Sequence, residues 1–231
     1  MDVIAHIHTD FPTKFGLPRQ SGLAGKIKGK IVFEKPYRVP DAFRGLEDFS
    51  HIWVIWQFSQ TAQKQWSPTV RPPMLGGNIR MGVFATRSPF RPNSIGLSVL
   101  KLESIEYDAA LGPVLNVSGA DLMDMTPIYD IKPYLPYADC VPSAVGGFTQ
   151  NLPDRRLNVV CDDSIISAVK DNLREELIQA LSFDPRPSYI EDETREYGFL
   201  FADYEVKFKV SGKTLSVTGL KPVTPTKQNF E

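Results

Sequence analysis

Short apolar runs separated by long polar stretches rich in Gly and Pro dominate the first two thirds of the chain. "VIAHI" (3–7), "KIVF" (30–33) and "HIWVIWQF" (51–58) are β-branched or aromatic and read as strands, the last as a buried one. "MGVFATR" (81–87), "IGLSVLKLESIEY" (95–107) and "PVLNVSGAD" (113–121) add three more. Residues 9–30 contain "FGLPRQSGLAGKIKGK" and read as loop. "DAFRGLEDF" (41–49) fits a short helix with Asp41 as its N-cap. Short strands joined by irregular loops predict a mainly β fold with a single antiparallel β-barrel as its core. The strand–helix alternation of a parallel doubly wound sheet is missing.

The texture changes after about residue 150. "DDSIISAVKDNLREELIQALSFD" (162–184) predicts one long helix, with Ile165, Ile166, Val169, Leu173, Leu177 and Leu181 as an apolar stripe at spacings of three and four. Asp162, Asp163 or Ser164 can cap it, and "DPRP" (184–187) ends it. "DYEVKFKV", "SGK" and "TLSVTGL" then alternate as a hairpin. The expected organisation is a barrel domain over 1–150 and a small α+β C-terminal domain over 151–231, with "GGFTQNLPDRR" (146–156) as the linker.

Composition adds little to this picture: 42% of the 231 residues are hydrophobic and 23% charged, which is ordinary for a globular protein. No apolar run reaches membrane-spanning length, and "MDVIAHIHTD" lacks the features of a signal peptide. Cys140 and Cys161 make no disulfide framework. A soluble cytoplasmic protein without a membrane partner is expected.

Charge is more informative in its distribution than in its total of −1. From Phe49 to Leu102 there is no acidic residue, where the chain average would place roughly six. The same stretch carries Lys64, Arg71, Arg80, Arg87, Arg91 and Lys101. A neutral chain with such a stretch can offer a basic surface to a polyanion.

Candidate chemistry concentrates in two places. His6, His8 and His51 fit no metal motif, so no metal is expected. No Gly-x-Ser-x-Gly elbow is present, and "LGGN" (75–78) is not a phosphate loop. "ATRSPFRPNSIGLS" (85–98) spends Arg87, Pro89, Arg91, Pro92 and Asn93 on the connection between two apolar runs. "ADLMDMTPIYDIKPYLPYAD" (120–139) gathers Asp121, Asp124, Asp130 and Asp139 with Lys132 and Tyr134 after a strand. Functional side chains concentrate in such loops, although turn-capping Asp and turn-forming Pro and Asn serve geometry as well.

"PRQ" (18–20), "RPPMLGGNIRMGVFATRSPFRPNSIGLS" (71–98), "DLMDMTPIYDIKPYLPY" (121–137) and "DPRP" (184–187) closely resemble the TsaA-like family, whose bacterial members are tRNA methyltransferases. The resemblance covers nearly the whole chain. It implies a homodimer built on a β-barrel that binds S-adenosyl-L-methionine without a Rossmann fold. It implies methylation of N6 of threonylcarbamoyl-adenosine at position 37, beside the anticodon of tRNA. Carried over residue by residue, it places Pro18, Arg19, Gln20, Ser59, Gln60, Arg87, Leu97, Gly119, Ala120, Asp121 and Leu122 at the cofactor, with Arg19 suited to its carboxylate. Asp124 or Asp130 could accept the N6 proton. Phe90, Arg91, Asn93, Lys132 and Tyr134 are the tRNA candidates, Phe90 by stacking on a loop base.

The chain departs from the family at Ser59, where His is frequent, at Ser94, where Pro is frequent, and at Met125, where Gly is usual. Met125 implies either a different backbone at that turn or that positive φ is not needed there. Two rival functions fit the residues less fully. A non-catalytic RNA-binding barrel has no use for a cofactor pocket, and a methyltransferase with a small-molecule acceptor leaves the acid-free stretch unexplained.

Overall fold

The structure, a computed structural model, describes residues 1–60, 65–150, 155–186 and 192–223. Six antiparallel strands close a barrel in the order β1-β2-β7-β6-β3-β8. They are β1 (Ala5–His8), β2 (Lys28–Phe33), β3 (His51–Gln57), β6 (Ile95–Asp108), β7 (Gly112–Ser118) and β8 (Thr126–Pro133). The alternation read in the sequence decides which side chains point inward. Ile52, Val54 and Trp56 of β3 are buried while His51, Trp53 and Ile55 between them are partly exposed. Ile7, Ile31, Leu100, Leu115 and Ile128 complete the interior from the other strands. Gly96 is required there, because a Cβ at that position would collide with the Trp56 ring.

Strand β6 serves two partners. Ile95–Lys101 pair with β3, whereas Lys101–Asp108 pair with β7. Before Lys101 the edge of β6 facing β7 is therefore open. Ser21 enters this gap, and its hydroxyl accepts a hydrogen bond from the Val99 amide at 3.1 Å.

Four local expectations change. A 3-10 turn at Lys35–Tyr37 precedes this segment, and the 41–49 helix is replaced by short 3-10 turns at Pro40–Phe43 and Leu46–Asp48, because Gly45, at φ 85°, breaks the run. Asp41 lies inside the second turn and pairs with Arg44 at 2.6 Å instead of capping a helix. Of the expected 81–87 strand, only β5 (Met81–Gly82) forms, as a ribbon with β4 (Thr69–Val70). Arg91 takes the carbonyls of Val83 and Thr86 that a longer strand would have paired. Strand β7 stops at Ser118, since Gly119 turns the chain at φ 79°. Residues 126–133, read as loop, form β8 between β1 and β3, and its prolines had hidden the alternation. A four-residue helix, α1 (Pro136–Asp139), follows.

The C-terminal sheet has the order β10-β11-β12-β9, with β9 (Asn158–Val160) parallel to β12 (Thr214–Pro222). Strands β10 (Tyr197–Phe201) and β11 (Tyr204–Ser211) complete it. The long helix is split into α2 (Asp163–Ile166) and α3 (Asp171–Ser182). Asp162 caps α2, accepting from the Ser164 amide at 2.8 Å. Arg174 donates to the carbonyls of Ile166, Ser167 and Val169, which satisfies the broken turn between the helices. Val169, Leu173, Leu177 and Leu181 of the expected stripe are buried, while Ile165 and Ile166 are half-buried. Part of the expected linker (151–154), Pro187 and Lys64 lie outside the described residues.

Met125 adopts φ 60° itself. The turn keeps the backbone that a glycine would favour, so neither alternative expected for Met125 holds. Its amide is held by the Ile7 carbonyl at 2.8 Å.

Candidate active site

The open edge of β6 draws together two segments far apart in the chain. Gly22 donates to the Gly119 carbonyl at 2.9 Å, and a Cβ on Gly119 would lie 3.3 Å from the Gly22 backbone. The segment after Gln20 thus lies directly against the turn that leads to Asp121. Gln20 reaches across to Arg87 by a hydrogen bond from the guanidinium. Pro18 is buried, and so are Gly119, Ala120 and Leu122.

Asp121 is the electrostatic centre of this region. Its carboxylate accepts from the Ser98 hydroxyl at 2.6 Å, and Ser98 in turn accepts from the Trp56 indole at 3.0 Å. Burial pushes the Asp121 pKa up, while the Ser98 hydroxyl, the Ser21 backbone and the nearby Arg87 charge pull against it. Beside it a cavity of about 570 Å³ is lined by Ser21, Gly22, Val99, Gly119, His51, Lys101 and Tyr134. Leu97, two residues before Val99 on the same strand face, is exposed. The region therefore offers a half-buried carboxylate and a guanidinium beside a cavity walled by apolar side chains and glycine backbone.

The remaining candidates are distributed differently. Arg19 is exposed and donates to the Arg186 carbonyl of the C-terminal unit at 3.3 Å. Ser59 and Gln60 are exposed in the turn after β3. Phe90 is 37% exposed, and its carbonyl accepts from the Ser67 amide. Arg91 braces its own loop from within, and Asn93 is exposed beside it. Asp124, in the turn before β8, is held by the Thr9 amide at 3.2 Å and lies 3.4 Å from the His8 ring. Asp130 is within β8, paired with Lys132 at 2.8 Å beside a separate apolar cavity of about 630 Å³. The structure thus brings Gln20, Arg87, Leu97, Gly119, Asp121 and Tyr134 into one region, while Asp124 and Asp130 stand away from it on different neighbours.

Several cleft residues carried no readable signal. Ser21, Gly22, Val99 and Ser98 are small or apolar and gain their roles only from the open strand edge. His51 also faces this cavity; its ring lies 6.3 Å from the Tyr134 ring, and Trp53 packs on Tyr134 at 5.8 Å. Within the acid-free stretch the cations are not all offered outward. Lys101 pairs with Glu103 at 2.8 Å, and Arg80 donates to the Thr69 hydroxyl at 3.0 Å.

Comparison with known proteins gives a consistent answer. The family model described as the tRNA-methyltransferase O N-terminal domain matches residues 6–140, and that of the TrmO C-terminal domain matches 161–223. A tRNA (adenine(37)-N6)-methyltransferase of Escherichia coli (strain K12) is 39% identical over 95% of this chain and 96% of its own length. One from Eikenella corrodens is 49% identical over 70% of this chain and 91% of its own. The crystal structure of TrmO from Pseudomonas aeruginosa superposes with a TM-score of 0.78 at 32% identity, covering 95% of this chain and 96% of that one. With a matching barrel, a matching C-terminal unit and relatives aligned end to end, the chain belongs to the tRNA-methyltransferase O family.

Proposed function

We propose that this protein is an S-adenosyl-L-methionine-dependent methyltransferase acting on N6 of adenosine 37 in tRNA, beside the anticodon. We further propose that the adenosine it takes already carries the threonylcarbamoyl group. The observation that carries the reading is the cleft at the open edge of β6, where Ser21, Gly22 and Gly119 share one cavity with His51, Lys101 and Tyr134.

The residues present fit the cofactor. Asp121, half-buried and oriented by Ser98, suits a ribose hydroxyl or the ammonium group. Arg87 suits the carboxylate, and Leu97 and Val99 give an apolar wall for the adenine. At Gly22 and Gly25 an added Cβ would meet nothing within 4 Å, so the backbone is open to close approach. When bound, the cofactor supplies an activated methyl group on a sulfonium. The protein's task is then to hold N6 in line with it and to exclude water.

The acceptor nitrogen is weak, because its lone pair is delocalised into the attached carbonyl. Its proton must pass to a base as the new bond forms. Asp124 and Asp130 remain the proposed acceptors, and His51, facing the cleft, belongs in the same replacement series. Tyr134, with Trp53 packed behind it, and Phe90 are proposed to stack on loop bases, and Lys132, Arg91 and Asn93 to contact the tRNA backbone. Trp66, Ile79, Phe84 and Leu97 are all more than half exposed on or beside the excursion between β3 and β6, which supports the proposed homodimer. A cytoplasmic location belongs to the same reading.

Nucleoside mass spectrometry tests it. The protein is incubated with tRNA from a strain lacking this activity, with and without S-adenosyl-L-methionine. A cofactor-dependent gain of one methyl on threonylcarbamoyl-adenosine is the expected outcome. Methylation of unmodified adenosine 37 would remove the finer substrate. Cofactor binding with no tRNA product would point to another acceptor, and no cofactor binding to a binding module.

A further inference from the structure

Where helix α3 meets the barrel, a carboxyl group is buried without a well-formed hydrogen bond. Glu176 is 2% exposed, and its side-chain oxygens make no hydrogen bond of good geometry, the Lys28 backbone giving only a weak approach. An ionised carboxylate in such a place loses its hydration and regains only part of it from the Lys28 backbone and charge, so the neutral acid is favoured.

The groups around it come from several elements. Asp10, in the loop after β1, faces Glu176, and so does Lys28 of β2. Asp10 also faces Asp203 in the β10–β11 turn, Asp124, Lys170 and Lys28, and its pKa is raised by burial first and by these acids next. Most of the cations have other partners. Lys170 lies 3.4 Å from Asp203, and Lys26 pairs with Glu175 at 2.9 Å. On the helix itself Arg174 pairs with Asp171 at 2.7 Å. A groove of about 1030 Å³ runs past Glu176, Asp10 and His8, with Lys30, Lys101, Glu103 and Glu106 further along it. Two of those cations are also engaged, Lys101 by Glu103 at 2.8 Å and Lys30 by Glu106 at 4.0 Å.

The same few residues fasten the C-terminal unit to the barrel. The Ala202 amide donates to the Asp10 carbonyl at 2.7 Å, and the Phe11 and Phe201 rings meet edge to face at 5.4 Å. Gln179, one turn after Glu176, accepts from the Lys26 amide at 2.6 Å. The loop between these contacts also builds the Asp124 turn. Thr9 donates its amide to the Asp124 carboxylate, and the Phe11 carbonyl accepts from the Asp124 amide at 2.9 Å.

We propose that Glu176, protonated and facing Asp10, is a proton-dependent latch between helix α3 and the loop after β1. Loss of its proton puts a second negative charge into a buried contact that already holds Asp10. That loosens the C-terminal unit from the barrel and frees the turn that carries Asp124. Glu176 acts through Asp10 and that loop, and is a positioning residue.

The direction with pH follows from linkage. Burial pushes the Glu176 pKa up from 4.5 to about 8. Between those values the unfolded chain has released the proton while the folded chain still holds it. The contribution of this group to stability therefore falls as pH rises through that window and is constant above it.

Carboxyl ¹³C NMR of the full-length protein reads the latch directly, with Glu176 assigned by the signal missing in Glu176→Gln. A titration midpoint near 8 is expected, and a midpoint near the ordinary 4.5 overturns the proposal. Exchange of the Ala202 amide at pH 9 should be at least several-fold slower in Glu176→Gln than in the wild type, with the difference shrinking as pH falls through the window and gone near pH 4. Equal rates at pH 9 also overturn it. If Glu176→Gln does not fold, Asp10→Asn serves in its place: the Glu176 midpoint should move down in that variant, and an unmoved midpoint refutes the pairing. None of these readouts needs tRNA or cofactor, so the latch and the proposed reaction can fail separately.

Discussion

Asp121, half-buried, and Glu176, buried, are both acids whose pKa is pushed up by desolvation, yet their surroundings differ. Asp121 sits at an open strand edge, held by Ser98 and faced by Arg87. Glu176 sits on the inner face of α3, its oxygens without a well-formed hydrogen bond. A carboxylate with a hydroxyl donor and a nearby cation can carry charge and serve a ligand. Glu176 has only the Lys28 backbone and charge to set against its burial and the Asp10 charge, so it keeps its proton and acts on packing instead.

The comparison can be broken first at Asp121. Asp121→Ala should weaken S-adenosyl-L-methionine binding about 100-fold, the effect of losing one charge-assisted hydrogen bond of roughly 2.7 kcal/mol. Titration calorimetry on the folded variant checks this, and unchanged affinity would remove Asp121 from the cofactor site. The same affinity should fall on acidification, at a pH above the ordinary Asp value of 3.8, because the raised pKa makes the carboxylate easier to protonate. Asp121→Asn should lose that acid limb.

Gly96→Ala comes next. The new methyl collides with Trp56, whose indole orients Ser98, and the expected loss is about 2 kcal/mol in chemical denaturation. A neutral result would mean that the Trp56–Ser98–Asp121 chain is loosely held. Ser98→Ala deletes the donor alone. It should reduce cofactor affinity about tenfold, roughly 1.4 kcal/mol, with smaller change in stability. Equal effects on binding and stability would make Ser98 a core residue rather than an orienting one. The smallest effect runs the other way. Met125→Gly should stabilise by about 1 kcal/mol, since φ 60° strains any residue with a Cβ. Destabilisation would show that the Met125 side chain contributes more than its backbone costs.

The barrel was legible because its strands alternate. Ile52, Val54 and Trp56 mark the inner face of β3 before any coordinates are known. β8 was not, because Pro127 and Pro133 look like breakers until the strand is seen between β1 and β3, with a register shift opposite Ile55 and Trp56. The helix stripe was legible, but its break was not. Nothing in the local pattern announces that Arg174 will take the carbonyls released between α2 and α3. Around the candidate site, the motifs with charged or unusual residues could be read: Gln20, Arg87 and Asp121. The plain residues beside them, Ser21, Val99 and Ser98, could not.

The sequence by itself determined the fold class, the apolar faces of the strands and of α3, and the segments that carry the family motifs. These rest on periodicity and on residue types whose preferences act over a few positions. Tertiary structure alone decided that β6 changes partner at Lys101, leaving an edge for Ser21 to fill, and that Asp121 meets Ser98 there. It alone decided that Glu176 lands beside Asp10 with no well-formed hydrogen bond for its oxygens. Both depend on the shear that closes the barrel and on the docking of a distant helix, and no local pattern encodes contacts between residues so far apart in the chain.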